Sequence, residues 1–132
     1  MTHAHPIVLI EDDQWLADSL LVTLSSRGHD VTQFSTAQEA MEWINANNPV
    51  LIIADILLGD HTTLTLFHEL QSYPDTAAIP VIVCTSLGTH SLSKADLKSY
   101  GIVEVLDKTT MTPDQLLLSV ETHLPEERGT ER

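Results

Sequence analysis

Three short runs of unbroken apolar residues recur along the chain, at 7–10, 50–54 and 81–84. Each is too short for a helix and rich in β-branched residues, and continuous apolarity marks strands covered on both faces, the habit of parallel sheets. Residues 31–34 and 102–106 are weaker strand patterns that suit the sheet edges. Helical patterns lie between them. The first, about 14–27, has stripes at Leu16, Leu20, Leu24 and at Ala17, Leu21, and stops at Gly28. The second opens on Thr36-Ala37-Gln38-Glu39, a capping-box pattern, buries Ala37, Ala40, Met41 and Ile44, and ends before Pro49. A third covers 64–73, and a fourth, about 91–100, has a poor apolar stripe. The fifth starts at Thr112-Pro113-Asp114-Gln115, with a cap residue, a proline at the first helical position and an acid in the first turn; Leu116, Leu117, Val120 and Leu124 form its buried face.

Five strands alternating with five helices imply right-handed crossovers and a parallel sheet between two helical layers. The chain of 132 residues suits one domain with one core, expected over residues 1–125, with 126–132 as a short polar tail. Hydrophobic residues make up 42 % and charged residues 19 %, which places the chain among ordinary soluble proteins. No apolar run approaches the roughly 20 residues needed to span a bilayer. The start runs directly into a strand, so no signal peptide is expected, and the one cysteine, Cys84, excludes an internal disulfide framework and makes the reducing cytoplasm the simplest compartment. Nineteen acids against six bases give a net charge of −13, which argues against direct contact with nucleic acid or an anionic membrane.

Most of those acids read as solvated surface, but a few sit where the topology gives them chemistry. In an open doubly wound sheet, ligands bind outside the carboxyl ends of the strands. The first strand ends in Glu11-Asp12-Asp13, the third in Asp55, the fourth in Thr85-Ser86 and the fifth in Asp107-Lys108. Two carboxylates about 5 Å apart repel by roughly 3 kcal/mol at an effective dielectric near 20, so clustered acids want a cation. Hard oxygen ligands with open water positions favour Mg²⁺. One carboxylate can act as a nucleophile toward phosphorus, while a lysine and a hydroxyl hold the remaining phosphoryl oxygens. Taken singly, each residue has a plainer role: Asp12 or Asp13 as a helix cap, Asp55 as a turn residue, Lys108 as a surface charge. Their joint occupation of four strand ends carries the chemical reading.

The segments Ile-Val-Leu-Ile-Glu-Asp-Asp, Leu-Ile-Ile-Ala-Asp-Ile-Leu-Leu-Gly, Pro-Val-Ile-Val-Cys-Thr-Ser and Val-Leu-Asp-Lys, in that order, resemble the receiver domain of two-component response regulators over about residues 6–124. The resemblance implies a flavodoxin-like, doubly wound five-stranded parallel sheet of order 2-1-3-4-5 with five helices. It implies Asp55 as phosphoacceptor, Thr85 as switch hydroxyl and Lys108 as phosphate-binding lysine. Mg²⁺ would be held by Glu11, Asp12, Asp55 and the backbone carbonyl of Leu57, with Asp13 as a helix cap. The implied partners are a sensor histidine kinase or phosphotransfer protein and a downstream protein target. Self-association through the fourth helix, fifth strand and fifth helix is also implied. Such a chain catalyses only its own phosphorylation and dephosphorylation.

The chain departs from the family pattern at several places. Gly59 stands where proline is usual after the phosphoacceptor, and Thr62-Thr63 replaces a frequent Asp-Gly pair. Thr109 follows the lysine in place of a proline joined through a cis bond, and Val105 occupies the aromatic switch position. Leu57 and Leu87, two residues after Asp55 and Thr85, cannot orient a water, so slow hydrolysis of a phosphoryl group is expected. Two alternatives stay open: a constitutive protein-binding module that keeps the fold, and a haloacid-dehalogenase-like phosphatase, in which Leu57 would replace the required second Asp. Cys84 reads as core, and Trp15 and Trp43 read as residues covering the core.

Overall fold

The computed structural model describes residues 6–58, 61–86 and 93–125, without the side chains of residues 57, 58, 61 and 62. The chain runs β1 (Pro6–Ile10), α1 (Gln14–Ser25), β2 (Asp30–Phe34), α2 (Ala37–Asn47), β3 (Leu51–Ala54), β4 (Leu57–Leu58), β5 (His61–Thr62), α3 (Leu64–Gln71), α4 (Pro74–Ala77), β6 (Val81–Thr85), α5 (Lys94–Ser99), β7 (Ile102–Asp107) and α6 (Pro113–His123). Five of the strands form a parallel sheet of order β2-β1-β3-β6-β7, the expected 2-1-3-4-5 among the five predicted strands, with the two weak patterns at its edges.

The unbroken apolar runs do what their composition requires. Successive side chains on a strand point to opposite faces, so a run apolar at every position feeds two cores. Val8, Ile10, Ile52, Ala54, Val81 and Val83 pack with α2 and α3 through Ala40, Met41, Ile44, Leu66, Phe67 and Leu70. Ile7, Leu9, Leu51, Ile53, Ile82 and Cys84 pack on the other face with α1 and α6 through Ala17, Leu20, Leu24, Leu116, Leu117 and Val120. The helix ends follow the sequence signals. The Asp13 carboxylate caps α1 by accepting from the Leu16 amide, and Thr112 and Gln115 make a reciprocal capping box on α6. After α1, the Gly28 amide donates to the Ser25 carbonyl and the His29 amide to the Leu24 carbonyl, a crossed pair that needs the left-handed φ of +82° at Gly28.

The structure corrects the sequence reading in three places. Trp15 is 87 % exposed and does not cover the core; with Asp13 as cap, the buried stripe of α1 falls on Ala17, Leu20 and Leu24, and residue 15 faces outward. Trp43 does pack on the core, 6.1 Å from the ring of Phe34. The third helix ends at Gln71 rather than Tyr73, because a residue before proline avoids the helical region; Tyr73 is extended, and Pro74 opens a separate turn, α4. That turn makes six helices among the described residues, where five were expected. The fourth predicted helix is α5, six residues capped by Ser93, with no residue fully buried; positions 91 and 92 lie outside the described residues. The β4–β5 hairpin, which carries Leu57, was not foreseen.

Cys84 lies 2 % exposed in β6, and burial pushes its thiol up to about 12. At pH 8 the thiolate fraction in the folded protein is then on the order of 10⁻⁴, and only the thiolate reacts. Maleimide labelling of native protein is expected to follow global unfolding, rising with urea in step with the loss of circular dichroism. Rapid labelling without denaturant would contradict this packing.

Candidate functional site

The sheet register brings the strand ends into one line. Ile10 pairs with Ala54, Ala54 with Val83, and Thr85 with Asp107, so the next residues along, Glu11, Asp55 and Lys108, emerge side by side at the carboxyl edge. The Asp55 amide donates to the Ile10 carbonyl at 3.2 Å and the Lys108 amide to the Thr85 carbonyl at 3.1 Å, which extends the ladders one step past the strands. Two backbone bonds therefore aim the two residues that meet.

They meet as an ion cluster. The Lys108 ammonium lies 2.7 Å from Asp55 Oδ2 and 3.0 Å from Glu11 Oε1. Glu11 is 1 % exposed and Asp55 7 %, so neither charge has water to solvate it fully. Burial holds the Glu11 carboxyl above the usual carboxylate range, against the pull of the Lys108 ammonium and of the Asp13 amide that donates to Glu11 Oε2 at 3.1 Å. Burial works against the charge on Lys108 as well, but its bonds to Asp55 and Glu11 win and its pKa is raised. One lysine thus bridges two buried carboxylates.

Asp12 lies exposed beside Glu11, Thr85 is buried at the last position of β6, and Leu57 lies in β4 two residues past Asp55. Leu87 lies outside the described residues. The donor set suits a hard divalent cation: two buried carboxylates on neighbouring strands and a third acid next in sequence. Among the described residues no three acidic, histidine or cysteine side chains already converge as a ligand set; Lys108 bridges the pair instead.

Three contributions escaped the sequence reading. Gln33 on β2 donates to the Glu11 carbonyl at 2.9 Å, securing the turn that carries Asp12; an amide in an edge strand gives little warning of this. Asp107 accepts from both the amide and the hydroxyl of Thr109, at 2.9 and 2.6 Å, and those bonds hold its carboxyl below the usual range. The spacing Asp-Lys-Thr carries that signal, since Asp readily bonds the backbone two residues on. No cis peptide bond occurs among the described residues; a proline at 109 would have no N–H to donate here. Thr63 is the third, buried and bonded to the Asp55 carbonyl at 2.7 Å.

The response regulator receiver domain family matches residues 7–121 of the chain. Among curated relatives, the phosphoglycerate transport system transcriptional regulatory protein PgtA of Salmonella typhimurium is 27 % identical over 126 residues, covering 93 % of this chain and 29 % of that protein. The transcriptional regulatory protein PhoP of Escherichia coli is 29 % identical over 102 residues, covering 77 % of this chain and 44 % of that protein. The chain thus spans less than half the length of these regulators. The crystal structure of the BeF3-activated N-terminal receiver domain of Klebsiella pneumoniae RstA superposes with a TM-score of 0.77 at 27 % identity, covering 92 % of this chain and 99 % of that one.

Replacing Lys108 with Met leaves Glu11 and Asp55 buried without their cation, and is expected to destabilise the fold by about 3 kcal/mol. Glu11→Gln in the same background should recover part of that loss. An acid with a raised folded-state pKa loses stability as pH climbs from its ordinary value, near 4.5 for Glu11, to the raised one. Removing the lysine raises it further, so the deficit should be larger at pH 8 than at pH 5. Urea denaturation of the three proteins at both pH values measures this.

Proposed function

The chain belongs to the response regulator receiver domain family, and from that premise we propose that it accepts a phosphoryl group on Asp55 in a Mg²⁺-dependent reaction. The observation that carries the reading is the Lys108 ammonium held between Asp55 and Glu11 at the carboxyl edge of the sheet. A carboxylate oxygen of Asp55 attacks phosphorus, the bond from phosphorus to the donor breaks, and the donor leaves with the electron pair and takes up a proton. Lys108 and the Thr85 hydroxyl then hold phosphoryl oxygens, which supplies the positioning and charge stabilisation this transfer relies on. Glu11, Asp12, Asp55 and the Leu57 carbonyl would hold the Mg²⁺, which neutralises charge on the transferring group when bound. Gln33 keeps Asp12 in place through the Glu11 peptide.

The donor would be a histidine kinase or a phosphotransfer protein in the cytoplasm, and the effect would pass to another protein, since a net charge of −13 disfavours nucleic acid contact by this chain. Residues 1–125 are read as the receiver unit and 126–132 as a tail. Self-association through α5, β7 and α6 has support in the exposure of Val103 and Leu118 on that side. Family membership leaves the phosphatase alternative without support.

The direct test is intact-mass analysis after incubation with a small phosphodonor. A gain of one phosphoryl group is expected that requires Mg²⁺ and vanishes in Asp55→Asn; undiminished labelling of that variant would sink the assignment. Asp12→Ala is expected to abolish labelling and the Mg²⁺-induced rise in melting temperature while leaving the metal-free fold intact.

The output concerns different residues. Val105 is a stiff β-branched side chain packed partly into the core and cannot swing as an aromatic ring would. We place the bistable element in the segment 86–98, of which 87–92 lie outside the described residues; the short α5, which buries no residue fully, supports this. Amide exchange with and without a phosphoryl mimic should change most there and little around Val105. A largest change on β7 would assign the switch elsewhere.

A further inference from the structure

Thr63 directly precedes α3, where a threonine ordinarily turns its oxygen to the amides of the first helical turn. It makes no such bond. Its side chain is instead 0 % exposed, and the hydroxyl donates back across the 55–63 loop to the Asp55 carbonyl at 2.7 Å, with a longer approach of 3.4 Å to the Ile56 carbonyl. The Thr63 amide also donates to the Ile56 carbonyl at 2.8 Å, and the Leu57↔Thr62 pairing of β4 and β5 continues the closure. The hydroxyl has thus left the helix end to hold the peptide that follows the proposed phosphoacceptor.

Asp55 is one residue beyond the last paired position of β3, and its own amide is tied to the Ile10 carbonyl at 3.2 Å. With the amide side tied to β1 and the carbonyl side tied to Thr63, both peptide planes flanking the Asp55 Cα are fixed, and so is the direction in which its carboxylate leaves the backbone. A glycine at 63, which the resembling family often carries, has no atom for the second tie. We propose that Thr63 is a positioning residue that orients Asp55 toward Lys108. The proposal rests on the reading of Asp55 as phosphoacceptor and deepens it.

A buried carbonyl wants a partner wherever it lies, so Thr63 could serve folding alone. Two measurements separate the roles. The first is a double-mutant cycle on stability, which needs neither metal nor phosphodonor. If Thr63 aims Asp55 at Lys108, the fold-change in folding equilibrium constant caused by Lys108→Met should be at least about threefold smaller in the Thr63→Val background, because contacting or coupled groups are not additive. The second is the phosphorylation rate with a small phosphodonor, expected to fall about tenfold in Thr63→Val, since modest misplacement of a reacting group carries losses of that order. Thr63→Ser keeps the hydroxyl and should restore both readouts to within about twofold of wild type. Thr63→Ala takes the place of the valine variant should the latter fail to fold. Additivity of Thr63→Val with Lys108→Met overturns the proposal, as does a serine variant no better than the valine one. If wild-type protein takes no phosphoryl group, the phosphoacceptor reading fails, while the stability cycle still decides whether Thr63 aims Asp55 at Lys108.

Discussion

One lysine facing two buried carboxylates is the constraint from which the rest of the molecule can be understood. Glu11 and Asp55 are both withdrawn from water, and the Lys108 ammonium contacts both of them. Such a cluster is tolerable only where the backbone fixes every member, because a displaced lysine would strand a charge in a poorly solvated place. The sheet meets part of that demand with main-chain bonds. Ile10 receives the Asp55 amide, Thr85 receives the Lys108 amide, and the hydrophobic runs that anchor those strands fill two cores with no polar side chain in the central positions.

Much of this was legible beforehand, and the limits of legibility have physical causes. The buried strands announced themselves because covering both faces leaves no polar position to break the run. The strand ends followed, and with them Glu11, Asp12, Asp55, Thr85 and Lys108. Helix caps at Asp13, Thr36 and Thr112 were readable because a cap is a local event. What could not be read was which distant groups would meet. That Glu11 would pair with Lys108, across nearly the whole chain, depends on a register that no local pattern encodes. Trp15 was misjudged for a related reason: apolar character argues for burial, but the phase of α1 is set by Ala17, Leu20 and Leu24 together, and residue 15 falls on the outer side.

Two of the departures from the family pattern share a character. Thr109 stands in place of proline and uses the N–H that proline lacks, and its hydroxyl as well, to bind Asp107. Thr63 stands in place of glycine and uses a hydroxyl that glycine lacks to bind the Asp55 peptide. In both places a donor on threonine holds the chain next to a member of the ion cluster. At these two positions side-chain hydrogen bonds hold the backbone where proline and glycine would act through their dihedral preferences.

The alternation of the central strands between two cores has a consequence for how the gene can change. Removing one codon from β3 would shift the following residues by about 3.3 Å and turn each side chain to the opposite face. Side chains shaped for α2 and α3 would then meet α1 and α6, and Asp55 would fall out of line with Lys108 in the same event. Point substitutions within β3 alter packing at one place, whereas a change of length there damages both cores and the site together. Length variation should therefore collect at the opposite edge, in turns such as the one closing at Gly28, where no strand register is carried forward to the lysine.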